Sequence, residues 1–161
     1  LDVRGNPGGY LEASVDIASW FLPSSAVIVS EDFGSKNKPA EVFKSKGYDI
    51  FTDNLKMVML VDEGSASASE ITAGALRDHG RAKLLGETSF GKGTVQQAVD
   101  LDGGGSVHVS VAKWLTPKGT WVNKTGLKPD ISVAFDASKS AKLLPKALDN
   151  QLQTAIQELL K

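Results

Sequence analysis

The run Met57-Val58-Met59-Leu60-Val61, five consecutive apolar residues held between Lys56 and Asp62, restricts the possible folds more than any other stretch. A short continuous apolar run bounded by charge is the pattern of a strand buried on both faces, as in a parallel sheet covered by helices. The run leads into Gly64-Ser65-Ala66-Ser67-Ala68-Ser69-Glu70. From Ala68 to His79 the apolar positions Ile71, Ala75 and Leu76 then recur at helical spacing, with Gly80 placed as a C-terminal cap. A buried strand, a serine-rich turn and a helix therefore follow one another.

The rest of the chain fits around that unit. Leu1 to Arg4 reads as a strand tail running into the turn cluster Gly5-Asn6-Pro7-Gly8-Gly9, and an opening in mid-strand predicts residues upstream. From Tyr10 to Phe21 a helix is expected, with Leu11, Val15, Ala18 and Leu22 on one face and Pro23 as its stop. Ala26 to Phe33 reads as a strand and Gly34 to Pro39 as a polar loop, whereas Ala40 to Leu55 carries no readable pattern. Ala82 to Leu85 is the next expected strand and leads into Phe90-Gly91-Lys92-Gly93-Thr94-Val95-Gln96. Beyond it, Val95, Ala98, Val99 and Leu101 precede Gly103-Gly104-Gly105, and Val107, Val109 and Val111 follow, which predicts a hairpin. Pro117-Lys118-Gly119 marks a turn, Ile131 to Phe135 a short strand, and Leu148, Leu152, Ile156 and Leu159 one face of a closing helix. Early strands alternate with helices and later ones form hairpins, so the expected class is a mixed α/β layer fold. A length of 161 residues suits one domain.

Composition narrows the chemistry. Eighteen basic and nineteen acidic residues leave a formal charge of -1, which provides no electrostatic footprint for nucleic acid or an anionic membrane. With no cysteine, thiol catalysis and thiolate metal sites are excluded. The histidines, His79 near a helix end and His108 on a strand, assemble no metal site; His79 reads as a favourable charge at a helix C-terminus rather than as a triad member with Asp62 or Asp78.

A serine hydroxyl needs a base to take its proton during attack, and lysine serves only when neutral, a form that burial in an apolar site favours. Lys92, between Gly91 and Gly93 and beside Phe90, can be packed closely against such a wall. Among Ser65, Ser67 and Ser69, a helix starting near Ala68 puts Ser67 at the N-cap, with the Ala68 N–H directed the same way at the positive end of the helix dipole. That amide can hold an oxyanion, and Gly8 or Gly9 can supply a second backbone donor. Glu70, in the first helical turn, reads as a structural carboxylate favoured by the dipole.

The ordered segments Leu1 to Gly9, Gly64 to Glu70, Gly86 to Gln96 and Thr125-Gly126-Leu127-Lys128-Pro129-Asp130-Ile131 resemble the carboxyl-terminal processing, or tail-specific, serine proteases of the S41 peptidase group. The resemblance implies Ser67 as nucleophile, Lys92 as general base, Gln96 as a support for the amine, and the Gly9 and Ala68 amides as oxyanion donors, with no cofactor or metal. It also implies a fold related to the ClpP and crotonase type, with residues 1–161 as a protease core that works with an upstream PDZ domain and N-terminal segment. Substrates would be proteins or peptides engaged through their C-terminal segments, and the location would be the periplasm, cell envelope or thylakoid lumen. Two other readings share these residues: a noncatalytic peptide-binding scaffold, and a crotonase-like acyl-CoA enzyme that uses the oxyanion amides without a serine nucleophile.

Overall fold

The computed structural model describes residues 1–48, 50–52, 54–136 and 149–161. In chain order the elements are α1 (Leu11–Ser19), β1 (Val27–Asp32), β2 (Glu41–Lys44), β3 (Val58–Val61), α2 (Ala68–Asp78), β4 (Lys83–Gly86), β5 (Thr94–Asp100), β6 (Ser106–Leu115), β7 (Ile131–Ser132) and α3 (Asn150–Leu159). The class is mixed α/β, as the alternation of elements predicts.

All four residues of β3 are buried, and their side chains divide by parity between two cores. Met59 and Val61 join Ile71, Leu76 and Leu84, while Val58 and Leu60 join Leu85 and Ala155. β3 and β4 run parallel from Val58↔Lys83 to Val61↔Gly86, and β7 continues the parallel order on β4. Asp2 extends the same sheet by bridging in parallel to Leu60. A second sheet, ordered β2-β1-β6-β5, is antiparallel throughout. Helix α2 packs against α1, β1 and β4 and so lies between the sheets, while α3 covers β3 and β4. Burying each large aliphatic chain in these layers contributes about 1.5–3 kcal/mol.

Three elements differ from the sequence reading. β2 arises in the unreadable stretch as an edge strand with mostly exposed side chains, so no apolar alternation announces it. The strand expected over Ile131 to Phe135 pairs only at Ile131 and Ser132, with Val133 N–H still donating to the Gly86 carbonyl at 2.9 Å. The β5–β6 hairpin forms, yet its outer half is exposed on both faces, including Val99 and Val107. Leu148, expected on the closing helix, lies outside the described residues. Among the described residues no helix is long and apolar enough to cross a membrane.

Arg4 fastens α3 to the start of the chain. Its guanidinium donates to Asp149 Oδ1 at 3.1 Å and to Gln151 Oε1 at 2.8 Å, and pairs with Asp2 at 2.8 Å. Asp149 also caps α3 by accepting from Leu152 N–H at 3.0 Å. The hydrogen bond from Arg4 is the chief reason that the Asp149 carboxyl is held below its ordinary value of 3.8. A carboxyl lowered on folding stabilises the protein above its unfolded value, and that contribution disappears as pH falls through the folded value. Unfolding curves in urea should therefore show α3 docking weakening only below about pH 4. Asp149→Ala at neutral pH is expected to cost about 1–2 kcal/mol through the lost cap and ion pair, a cost that shrinks on acidification.

Candidate active site

Two of the three clustered serines are consumed in fastening the turn. Ser65 is fully buried, with its hydroxyl donating to the Val3 carbonyl at 2.8 Å and accepting from Asp62 N–H at 3.0 Å. Ser69 is also buried and donates to the Asn6 carbonyl at 3.1 Å. Asp62 Oδ1 accepts from Gly5 N–H at 2.8 Å and Gly64 N–H at 3.0 Å, which ties the first glycine turn to the end of β3. Ser67 is half-buried, stands at the N-cap of α2 and has φ of 53°. A non-glycine residue at positive φ is strained, so the surrounding turn must impose it.

Gly8 helps to impose it. With φ of 92°, a Cβ there would lie 2.5 Å from the Ala66 carbonyl oxygen and 2.7 Å from Ala68 N, so the backbone approaches the serine turn more closely than a side chain permits. The Gly8 N–H is committed to Asn6 Oδ1 at 2.9 Å. Of the two glycines named as oxyanion donors, Gly9 is the one that lines a cavity with Ser67 and Ala68. Ala68 opens α2, where an amide has no carbonyl a turn earlier within the helix to receive it.

Glu70 joins the serine turn to the lysine loop. It is fully buried and accepts from Ser67 N–H at 3.0 Å, Ser89 Oγ–H at 2.5 Å, Gly91 N–H at 2.8 Å and Lys92 N–H at 2.9 Å. The dipole role assigned from sequence covers only a small part of this work. The Ser67-Ala68-Ser69-Glu70 spacing is a capping-box pattern and so signals the reach back to Ser67, but nothing in it signals the reach to Lys92. On the other side of the loop, the Trp114 indole donates to the Lys92 carbonyl at 2.6 Å and the Trp121 indole to the Gly93 carbonyl at 2.8 Å. Gly126 backs the loop as well: a Cβ there would lie 2.1 Å from the Ser89 carbonyl oxygen.

These elements surround a cavity of about 270 Å³ lined by Gly9, Ser67, Ala68, Lys92 and Gln96. All five residues singled out from sequence thus meet in one place. Its apolar wall comes from Leu11, Ile71, Val95 and Trp114, not from Phe90, which is 64% exposed and outside the cavity. Lys92 itself is exposed, so the expected burial of its side chain is not found in this chain. A bulge between Val95 and Gln96 shifts the β5–β6 register beside the site. His79 lies elsewhere, its Nε2 donating to the Val27 carbonyl at 2.7 Å, and His108 sits on the exposed hairpin. A larger groove of about 730 Å³ between α2's end and α3 holds none of the five residues. Among the described residues no cluster of three or more His, Asp or Glu could hold a metal ion.

The family model for peptidase family S41 matches residues 1–133. The chain is similar to the carboxy-terminal processing protease CtpB of Bacillus subtilis, with 41% identity over 136 residues, covering 83% of this chain and 27% of that protein. It is also similar to the carboxyl-terminal-processing protease of Synechocystis, with 41% identity over 156 residues, covering 97% of this chain and 35% of that protein. The chain therefore spans only about a third of the length of these relatives. Among solved structures, the photosystem II D1 C-terminal processing protease superposes with a TM-score of 0.72 at 38% identity, over 83% of this chain and 34% of that one.

If Glu70 holds the serine turn and the lysine loop together, Glu70→Ala strands several buried donors, each costing about 1–3 kcal/mol. Guanidinium unfolding should then report a loss of about 3 kcal/mol or more, against less for Glu70→Gln, which keeps one acceptor oxygen. Gly8→Ala should also destabilise the fold, by about 1–3 kcal/mol from positive φ and overlap with Ala66.

Proposed function

The chain belongs to peptidase family S41, and on that premise we propose that it is a serine endopeptidase that cuts proteins near their C-termini with a Ser67–Lys92 dyad. The observation that carries the reading is the convergence of Ser67, Lys92, Gly9, Ala68 and Gln96 on one cavity while Ser65 and Ser69 are spent on structure.

In the proposed reaction the neutral Lys92 amine takes the Ser67 proton as Oγ attacks the scissile carbonyl. The oxyanion is held by the Gly9 and Ala68 amides. Lys92 returns the proton to the departing amine, leaving an acyl-enzyme, and water activated by the same amine releases the acid and restores Ser67. Gln96 orients the amine. Because Lys92 is exposed in the chain alone, the proposal assigns water exclusion to the bound peptide, which covers the cavity against the wall formed by Ile71, Val95 and Trp114. Backbone bonds from Glu70 and Trp114 fix where the Lys92 side chain starts, which limits the entropy lost on reaching Ser67. Family membership and the names of the relatives favour this protease reading over a noncatalytic scaffold or an acyl-CoA enzyme. By the same resemblance, the proposed location is the periplasm, cell envelope or thylakoid lumen.

A fluorophosphonate probe should label Ser67, and no label should remain in Ser67→Ala. Lys92→Ala should slow labelling and peptide cleavage by about 100- to 10,000-fold with unfolding curves close to those of the unsubstituted protein. Rapid labelling at another serine, or full activity without Lys92, would remove the dyad.

A further inference from the structure

The cavity around Ser67 is lined by one carboxylate, for which the proposed reaction has no use. Glu31, on β1, is only 8% exposed and lines the same cavity as Ser67 and Lys92. It stands opposite Trp114 of β6 and Glu41 of β2 in the sheet register, so these three side chains share the sheet face turned towards the helices and the cavity. Among the described residues no hydrogen bond or ion pair reaches its carboxylate. The residue is largely buried but its carboxylate oxygens are not sealed from solvent, so the water of the cavity takes the place of a protein partner. Burial first, and Glu41 second, push the Glu31 carboxyl above its ordinary value; Glu12 on α1 adds to this and Lys38 opposes it. Glu41, Glu12 and Lys38 lie outside the cavity lining, and Lys92, the basic residue that shares the cavity with Glu31, makes no ion pair with it among the described residues, which leaves the carboxylate open to an incoming cation.

We propose that Glu31 is a specificity-determining residue whose carboxylate receives a lysine or arginine side chain of the peptide substrate inside the Ser67 cavity. The incoming cation supplies the partner that the fold leaves out, while its aliphatic stem packs on Leu11 and Trp114. The inference rests on the reading of Ser67 as the reacting serine, since it gives the peptide its place.

Binding can be tested without turnover. In the Ser67→Ala protein, fluorescent peptides that differ only by lysine or norleucine at one scanned position are compared by anisotropy. The expected result is one position at which lysine binds at least about tenfold more tightly, with the difference shrinking to within about twofold in Ser67→Ala/Glu31→Gln. Peptides that bind alike or not at all, or a preference that survives Glu31→Gln, overturn the proposal. The nearly isosteric glutamine removes a buried charge, and circular dichroism with unfolding curves checks its fold. A pH series on the protein retaining Glu31 gives a second reading: the lysine preference should fade on acidification as Glu31 gains a proton, whereas a preference indifferent to pH overturns the idea. Fluorophosphonate labelling of the Ser67 protein reads the other premise separately. A lysine preference without labelling keeps Glu31 and removes the nucleophile, and labelling without the preference does the reverse.

Discussion

One buried carboxylate, that of Glu70, holds the site together. Two backbone segments separated by a helix and a strand must meet at a fixed distance, and Glu70 accepts from both of them. A fully buried carboxylate is tolerable only where donors saturate it, and here two loop amides, a turn amide and the Ser89 hydroxyl do so. The same bonds that offset its desolvation set the position of Ser67 relative to Lys92. Stability and geometry have one source at this point.

Around that carboxylate the fold is arranged for close backbone approach. Gly8 lies against the serine turn, and Gly91 and Gly93 lie against the segment from Val122 to Gly126, each where a Cβ would collide with main-chain atoms. Indoles from Trp114 and Trp121 close the remaining carbonyls of the lysine loop. The exposed side chain of Lys92 therefore grows from a backbone held by hydrogen bonds on both sides.

Much of this was legible in the chain. Met57 to Val61 read as a doubly covered strand, Ile71, Ala75 and Leu76 as the inward face of a helix, and the glycine turn between Leu101 and Ser106 as a hairpin, because each pattern depends on neighbours a few positions away. Ser67 was separable from Ser65 and Ser69 by its place at a helix entry, and the structure finds those two hydroxyls spent on Val3 and Asn6. What escaped was cooperative across distance. Glu70 read as a helix-end charge, Phe90 as the wall that Ile71, Val95 and Trp114 supply, and Glu31 carried no local sign at all. β2 was unreadable because an exposed edge strand needs no apolar alternation.

By itself, then, the sequence determined the order of elements, the burial of the central strand and the identity of a serine poised at a helix entry, since periodicity and capping act within one turn or one pleat. Only the tertiary structure decided which groups share the cavity, that Glu70 spans two loops and that Glu31 faces the site with no partner among the described residues. Those are relations between residues far apart along the chain, and they exist only once the sheets and α2 have packed, because burial and hydrogen-bond satisfaction are properties of the assembled core.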